Sequence, residues 1–588
     1  MIVAKYLQGS ILCMSFTTRP VIMGTNGMVT STHYLATLEG LRVLRDGGNS
    51  VDAGATMWFC LSLLKPHLIG AGGECPILLY ISDEEKVVSV NGQGTAPMAA
   101  TIDWFIEQGY PLIPEDGFTP SCVPGAFDAW MKTLNEYGSM GLPRILEPAI
   151  KIANEGFPMF PTLAAFLGRL QKRFNEEWPS SAKIYLRDGR APVVGELQNN
   201  PDWARTFNKV CEVYSKASGR SAGFDAVRKY YYDGPIAETI IDFMQNTTCK
   251  DVYGKENHGL LTREDMAGYE AAFEDSVSVD YRGLTVHKCD TWTQGPVLLE
   301  QLNLLEGYDL ASMGHNSVEY IHTLTEAAKL AFADREHYYA DPEFEIVPLD
   351  WLLSKEYAGE RRKLIDPDSA SMLHRPGDVE PVMLEESGQK PWFEGDTVHL
   401  EVVDRDGNMV SATPSGGWLR TTPVVPGLGF PIGTRGQFFH LDPTHIEALK
   451  PGKRPSTTLT PSLVTKDGAQ YMVFGTPGGD KQDQWTLQFF LNYVDFGMNV
   501  QEALDAPTVH SSHFPASFWP HPVRPGEISI EPRISSDVVE GLRAKGHKVV
   551  VSKPWSHGRC LAIRYDPVSG LMSGGASPRT GEPYALGW

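Results

Sequence analysis

The texture of this chain changes at Thr397, and that change limits how it can fold. Ahead of it, Ser387 to Gly395 is polar and contains both proline and glycine. Behind it, Val398-His399-Leu400-Glu401-Val402-Val403 alternates, Asp406-Gly407-Asn408 turns, and Met409-Val410-Ser411-Ala412-Thr413 alternates again. Period-two alternation on both sides of an Asp-Gly turn specifies a β-hairpin. A loop of this composition running straight into a core strand is exposed and easily cut. A cut there divides the chain into 1–396 and 397–588, and no repeat or low-complexity segment marks another boundary.

The first portion reads as helix-rich. Leu35 to Arg45 predicts a helix ending at Gly47-Gly48-Asn49, and Ser50 is the expected cap of an apolar helix running toward Leu64. Gly70-Ala71-Gly72-Gly73 then feeds a buried strand from Pro76 to Ile81, with a second strand at Val87 to Val90 and a tight turn expected at Asn91-Gly92. Further helices are predicted over Gly125 to Tyr137, Ile145 to Glu155 and Val318 to Tyr339. After the hairpin come strands at Ser462 to Thr465 and Ala469 to Phe474, then a helix from Gln484 to Val494. Helices, then clustered strands, then helices again predict stacked layers of a mixed α/β (α+β) class.

Several functions are excluded at this stage. With 51 Lys and Arg against 72 Asp and Glu, the net charge of −21 argues against a nucleic-acid partner. The longest apolar stretch, Ala53 to Leu64, is shorter than the ~20 residues a membrane span needs. Met1 to Phe16 has no compact apolar run or small-residue cleavage site, so a cytoplasmic location is expected, with secretion as the alternative. The eight cysteines contain no CxxC pair and read as buried thiols. No cofactor and no metal is expected: Asp404 to Asn408 lacks the distal glutamate of a calcium loop, and His510, His513 and His521 match no zinc spacing.

Chemistry enters if the bond between Asp396 and Thr397 is cut. The freed α-amine, with an ordinary pKa of about 8, can take the proton of its own residue's hydroxyl, so one threonine supplies nucleophile and base. Backbone N–H groups of Thr476-Pro477-Gly478-Gly479-Asp480 are candidate donors for the oxyanion. Taken alone, a threonine opening a strand and a glycine pair at a turn are ordinary structural features.

The run from Asp396 to Asn408 resembles the nucleophile segment of the γ-glutamyltransferases, a family of N-terminal-nucleophile (Ntn) hydrolases. Gly47 to Ala53, Pro66-His67, Ala331-Phe332-Ala333-Asp334-Arg335, Lys453-Arg454-Pro455 and Thr476 to Gly479 are similar to further motifs of that family, so the likeness spans nearly the whole chain. It implies a four-layer αββα sandwich with a helix-rich large-subunit portion, made as a precursor whose two processed fragments stay entwined as a heterodimer. It implies an amidohydrolase or acyltransferase of the glutathione hydrolase type acting on a small-molecule amide. It also implies roles: Thr397 as nucleophile, Ser415 as the hydroxyl positioning its amine, and Gly478 with Gly479 as the oxyanion hole.

The substrate pocket departs from the family pattern. Gln93 stands where an arginine grips the glutamyl carboxylate, and Gly417 and Phe438 stand where the α-ammonium is held. Thr457 and Thr458 keep the paired hydroxyls, and Arg435 is new, either as a substrate contact or as a structural ion pair. A free γ-glutamyl group loses charged hydrogen bonds worth roughly 1.5 to 3 kcal/mol each. An acylase acting on a non-glutamyl acid amide is therefore the alternative, and a non-catalytic binding descendant is the second.

Overall fold

A computed structural model describes residues 16–388 and 397–588. The expected cleavage loop falls mainly on 389–396 and, with the leader through residue 15, lies outside the described residues. Fourteen strands build two sheets. They are β1 (Ile22–Gly24), β2 (Gly27–Ser31), β3 (Ile77–Ile81), β4 (Lys86–Asn91), β5 (Ala272–Glu274), β6 (Val277–Tyr281) and β7 (Leu284–Lys288), followed by β8 (Leu400–Asp404), β9 (Met409–Ala412), β10 (Ser462–Lys466), β11 (Ala469–Gly475), β12 (Leu561–Tyr565), β13 (Met572–Ala576) and β14 (Tyr584–Gly587). One sheet runs β1-β13-β12-β11-β10-β7-β6 and the other β14-β2-β8-β9-β3-β4-β5, with every pairing antiparallel.

The sheets stack face to face, and helices cover both outer faces. On the β8 side lie α1 (Tyr34–Arg45), α2 (Ser50–Leu64), α3 (Ala126–Tyr137) and α4 (Leu142–Glu155). On the β11 side lie α5 (Pro296–Leu305), α6 (Val318–Tyr338), α7 (Gln482–Val494) and α8 (Val500–Asp505). The result is the four-layer αββα arrangement. Strands on both sides of residue 397 share each sheet, so the two portions of the chain form one fold.

Two local expectations are corrected. Asn49, not Ser50, caps α2: its side chain accepts from the Val51 and Asp52 N–H groups while the Asp52 carboxylate returns to the Asn49 N–H. Ser50 is the first helical residue. This reciprocal cap is worth about 1 kcal/mol and sets the start of a helix whose every residue is buried. Asn91-Gly92 is not a tight turn after β4 either; Asn91 is the last residue of β4 and pairs with Ala272 of β5. The backbone at Gly92 is spent on the sheet, its carbonyl accepting from the Cys75 N–H.

Strand alternation decides what enters the space between the sheets. Leu400 and Val402 of β8 join the core under the helices, whereas Val403 joins the core between the sheets with Met28, Leu78, Val473 and Ile563. The parity of Val403 carries Glu401, His399 and Thr397 toward the opposing sheet. A strand that reads as a simple amphipath therefore buries a line of polar groups in the middle of the sandwich, with Thr397 at its end.

Candidate active site

Thr397 is buried where three chain segments meet. It bridges antiparallel to Ser415, and Ser415 in turn bridges to Glu74, so the β8-β9 and β9-β3 pairings extend past the named strands. The Thr397 hydroxyl lies 3.2 Å from the Ser415 hydroxyl. Glu74 and Ser415 exchange both backbone hydrogen bonds at 2.9 Å, which holds Ser415 rigidly.

Beneath Thr397, the His399 ring is fixed by Thr413 Oγ1 at 2.9 Å on Nδ1 and by Glu401 Oε1 at 3.0 Å on Nε2. Burial, with the Lys288 charge adding to it, pushes the imidazole down to about 3, so the ring is neutral. Burial also holds the Glu401 carboxyl well above the usual carboxylate range. The imidazole closest to Thr397 in sequence is thus engaged on both nitrogens, and it serves as a packed support.

The glycine turn meets this end of β8 from the opposing sheet. Gly475, the last residue of β11, faces the His399 ring so closely that a Cβ there would stand 2.2 Å from Cε1. Three residues on, Gly478 takes φ 145° and Gly479 φ 60°, and α7 begins at Gln482. Two anchors pin the turn. Asp480 accepts from Arg335 Nη1 at 2.6 Å and from Ser517, while Asp483 accepts from Thr460, Gln294 and Lys288 at 2.8 to 3.1 Å. N–H groups at a helix start lack intrahelical acceptors, which makes this turn a ready donor for negative charge.

The other expected residues are placed as follows. The hydroxyls of Thr457 and Thr458 and Oε1 of Gln93 are buried without a hydrogen-bond partner among the described residues. Thr457 lines a small cavity of about 50 Å³ beside Phe438, Arg335 and Glu447, whose carboxyl burial pushes up to about 7. Gln93 follows Gly92, whose carbonyl accepts from the N–H of Cys75, the residue after Glu74. Arg435 is buried and paired through Nε and Nη2 with Glu74 Oε1, the Nε contact being 2.8 Å. Its guanidinium also lies over the rings of Trp418 and Phe438. Only Nη1 lacks a partner.

Glu74 was missed by sequence reasoning, although an acid directly after Gly72-Gly73 and ahead of a wholly apolar strand was a usable signal. It supplies, from 361 positions earlier, the carboxylate that the segment around Arg435 lacks. Asp404 accepts from the N–H groups of Asp406 and Asn408, a hairpin turn and not a calcium loop. The three histidines weighed as a cluster do not converge: His510 packs on Trp485, His513 meets the Leu373 carbonyl, and His521 stacks on His440. Among the described residues no helix is long and apolar enough to cross a membrane.

Residues 36–586 match the family model for gamma-glutamyltranspeptidase. The chain is 33% identical to the glutathione hydrolase-like YwrD proenzyme of Bacillus subtilis strain 168, over 96% of this chain and 99% of that protein. Among solved structures it resembles LmbA2991HD, with 42% identity, a TM-score of 0.93, and coverage of 98% of this chain and 100% of that one. It also resembles the cephalosporin acylase from Bacillus halodurans, with 33% identity, a TM-score of 0.83 and 99% of each chain covered. With its sandwich, its buried threonine and these matches along nearly its full length, the chain is an enzyme of the gamma-glutamyltranspeptidase family.

Proposed function

We propose that the chain is an autoprocessed N-terminal-threonine amidohydrolase or acyltransferase. The observation that carries this reading is Thr397 at the end of a central strand, with its hydroxyl 3.2 Å from that of Ser415, and with Gly475, just ahead of the Gly478-Gly479 turn, against the His399 ring two residues along. In the precursor the Thr397 hydroxyl adds to the carbonyl of Asp396, the amide C–N bond breaks as the nitrogen takes a proton, and an ester remains. Water then cleaves that ester, leaving an Asp396 carboxylate and a free Thr397 amine. In each turnover the amine takes the proton of the hydroxyl as it attacks the substrate amide, the leaving amine receives it, and water or an acceptor amine then takes the acyl group from the Thr397 ester and returns the proton to the hydroxyl. Gly478 and Gly479 are the donors proposed for the oxyanion, and Ser415 the group that positions the Thr397 amine.

Within that reading the acylase form is favoured over the γ-glutamyl form. Gln93 offers an amide where a charged clamp is needed, and Arg435 is already neutralised by Glu74. A free zwitterionic glutamyl end would find no uncompensated cation or anion among these groups, whereas a neutral or singly charged acid chain would meet Gln93, Thr457 and Thr458. The similarity to a cephalosporin acylase supports the same choice. Intact mass spectrometry is the test: wild type should resolve into two fragments split at Asp396-Thr397, and Thr397→Ala into one. A wild-type chain that stays whole after prolonged incubation would refute the proposal. Assays of γ-glutamyl, glutaryl and short oxo-acid amides on processed protein then separate the two forms.

A further inference from the structure

The first half of α6 carries a group of side chains that the reaction leaves unused. His322 and Glu326 stand four residues apart on this helix and so share one face. His547, just past α9 (Ser536–Ala544), closes on them. All three are buried, and one imidazole nitrogen or carboxylate oxygen from each lies within 4.8 Å of the other two. Among the described residues no other group of His, Cys, Asp and Glu converges in this way. His547 comes from 225 positions beyond His322, which is why no spacing along the chain announces the group.

The hydrogen bonds place the protons. His322 Nε2 lies 2.7 Å from the Asp366 carbonyl oxygen, which can only accept, so Nε2 carries the ring's proton. With one proton per ring, His322 Nδ1 is a bare lone pair, directed at His547 Nε2 at 2.8 Å. His547 Nδ1 is buried without a partner among the described residues, so nothing pins the proton of that ring. On Nε2 the proton makes a hydrogen bond to His322; on Nδ1 it leaves two imidazole lone pairs facing each other, which is a donor pair for a metal ion. A histidine whose second nitrogen donates to a backbone carbonyl has the outer support that metal-bound histidines use. Metal–nitrogen bonds of about 2.0 to 2.1 Å at a tetrahedral angle put the two nitrogens about 3.3 Å apart, so the rings need to part by only about half an ångström.

The carboxylate decides which ion fits. Glu326 Oε1 accepts from Lys329 at 2.6 Å and from the Ser371 N–H at 3.3 Å, while Oε2 accepts from Arg375 at 2.9 Å. Oε2 keeps a lone pair for an ion, but two cations already balance the charge of this group. Mg²⁺ and Ca²⁺, which depend on charged oxygen ligands, gain little here. First-row metals that bond strongly to imidazole are favoured instead.

We infer that His322, Glu326 and His547 form a structural site for a divalent first-row metal such as zinc, which fastens α6 to the end of α9. Arg335, which holds Asp480 of the glycine turn, lies thirteen residues further along α6, about 20 Å at 1.5 Å per residue. The ion therefore takes no part in the chemistry at Thr397; it anchors the helix that carries Arg335.

Calorimetric titration of chelator-stripped, full-length protein with zinc chloride and with magnesium chloride tests the inference without any assay of turnover. One equivalent of zinc should bind and raise the urea midpoint, because an ion that binds only the folded chain stabilises it, and magnesium should do neither. His547→Gln and His322→Gln should each weaken zinc binding by at least about 100-fold, more than the loss of an outer partner costs. X-ray absorption of zinc-loaded wild type should count two imidazole ligands, a measurement that stands even where a variant fails to fold. No zinc binding, equal heats from zinc and magnesium, undiminished affinity in both variants, or a spectrum without paired imidazoles overturns the inference.

Discussion

Replacing Glu74 by glutamine tests how the departure from the family's pocket is built. Arg435 and Glu74 are both nearly inaccessible to solvent, and Arg435 Nε stands 2.8 Å from Glu74 Oε1. At that separation the gross attraction is about 6 kcal/mol for an effective dielectric of about 20. Desolvation of both ions offsets much of it, and breaking a buried pair costs about 3 to 5 kcal/mol because one charge is left behind. The lower end applies here. Glu74→Gln keeps an amide oxygen as acceptor, and the guanidinium retains the rings of Trp418, Phe438 and Phe518 at 4.8, 4.7 and 5.7 Å. Urea unfolding should therefore show a loss of about 3 kcal/mol, as a lower midpoint with unchanged slope. Adding Arg435→Met should recover most of it by removing the stranded charge. A loss below about 1 kcal/mol, or a double variant no better than the single, would mean that Arg435 is not held by Glu74 and is available to substrate.

Two further outcomes follow from the same geometry. Gly478→Ala should fold but lose about 10²- to 10³-fold in kcat, since φ 145° excludes a side chain and the new Cβ would strike Trp485, tilting an oxyanion donor; amide hydrolysis at wild-type rate would refute the role of the turn. The buried histidines should cost stability in acid, because burial pushes His399, His513 and His547 each down to about 3, while Glu447, pushed up to about 7, gains its proton in the folded state and offsets about one of the three. Folded pKa values below the unfolded ones mean that only the unfolded chain gains protons as pH falls through about 6.5, which costs about 2 kcal/mol per histidine by pH 5. Urea midpoints that stay level from pH 7 to pH 5 would contradict this.

Much of the site was legible along the chain because its parts are local. The hairpin at Thr397 follows from period-two alternation around an Asp-Gly turn, and the glycine pair after β11 is a turn at a strand end, so both appeared where expected. The helix starting at residue 50 was found, but its cap was misassigned by one position, since serine and asparagine cap equally well and only the geometry of the Asn49 amide decides between them. Asn91-Gly92 has the composition of a tight turn, yet sheet pairing claimed it, as tertiary hydrogen bonds override a dipeptide preference.

Short motifs and periodicity carried the family and the layered class, and they nominated the threonine around which the proposed site is built. What that threonine touches came from the way the chain folds. Ser415 meets it directly, Glu74 clamps Ser415, and Gly475 abuts the His399 ring two residues along, and no spacing along the chain encodes contacts made between separate strand ends and stacked sheets. The fate of Arg435 was decided in the same way: a buried charge takes the nearest opposite charge in space, and here that is Glu74, 361 positions away in sequence.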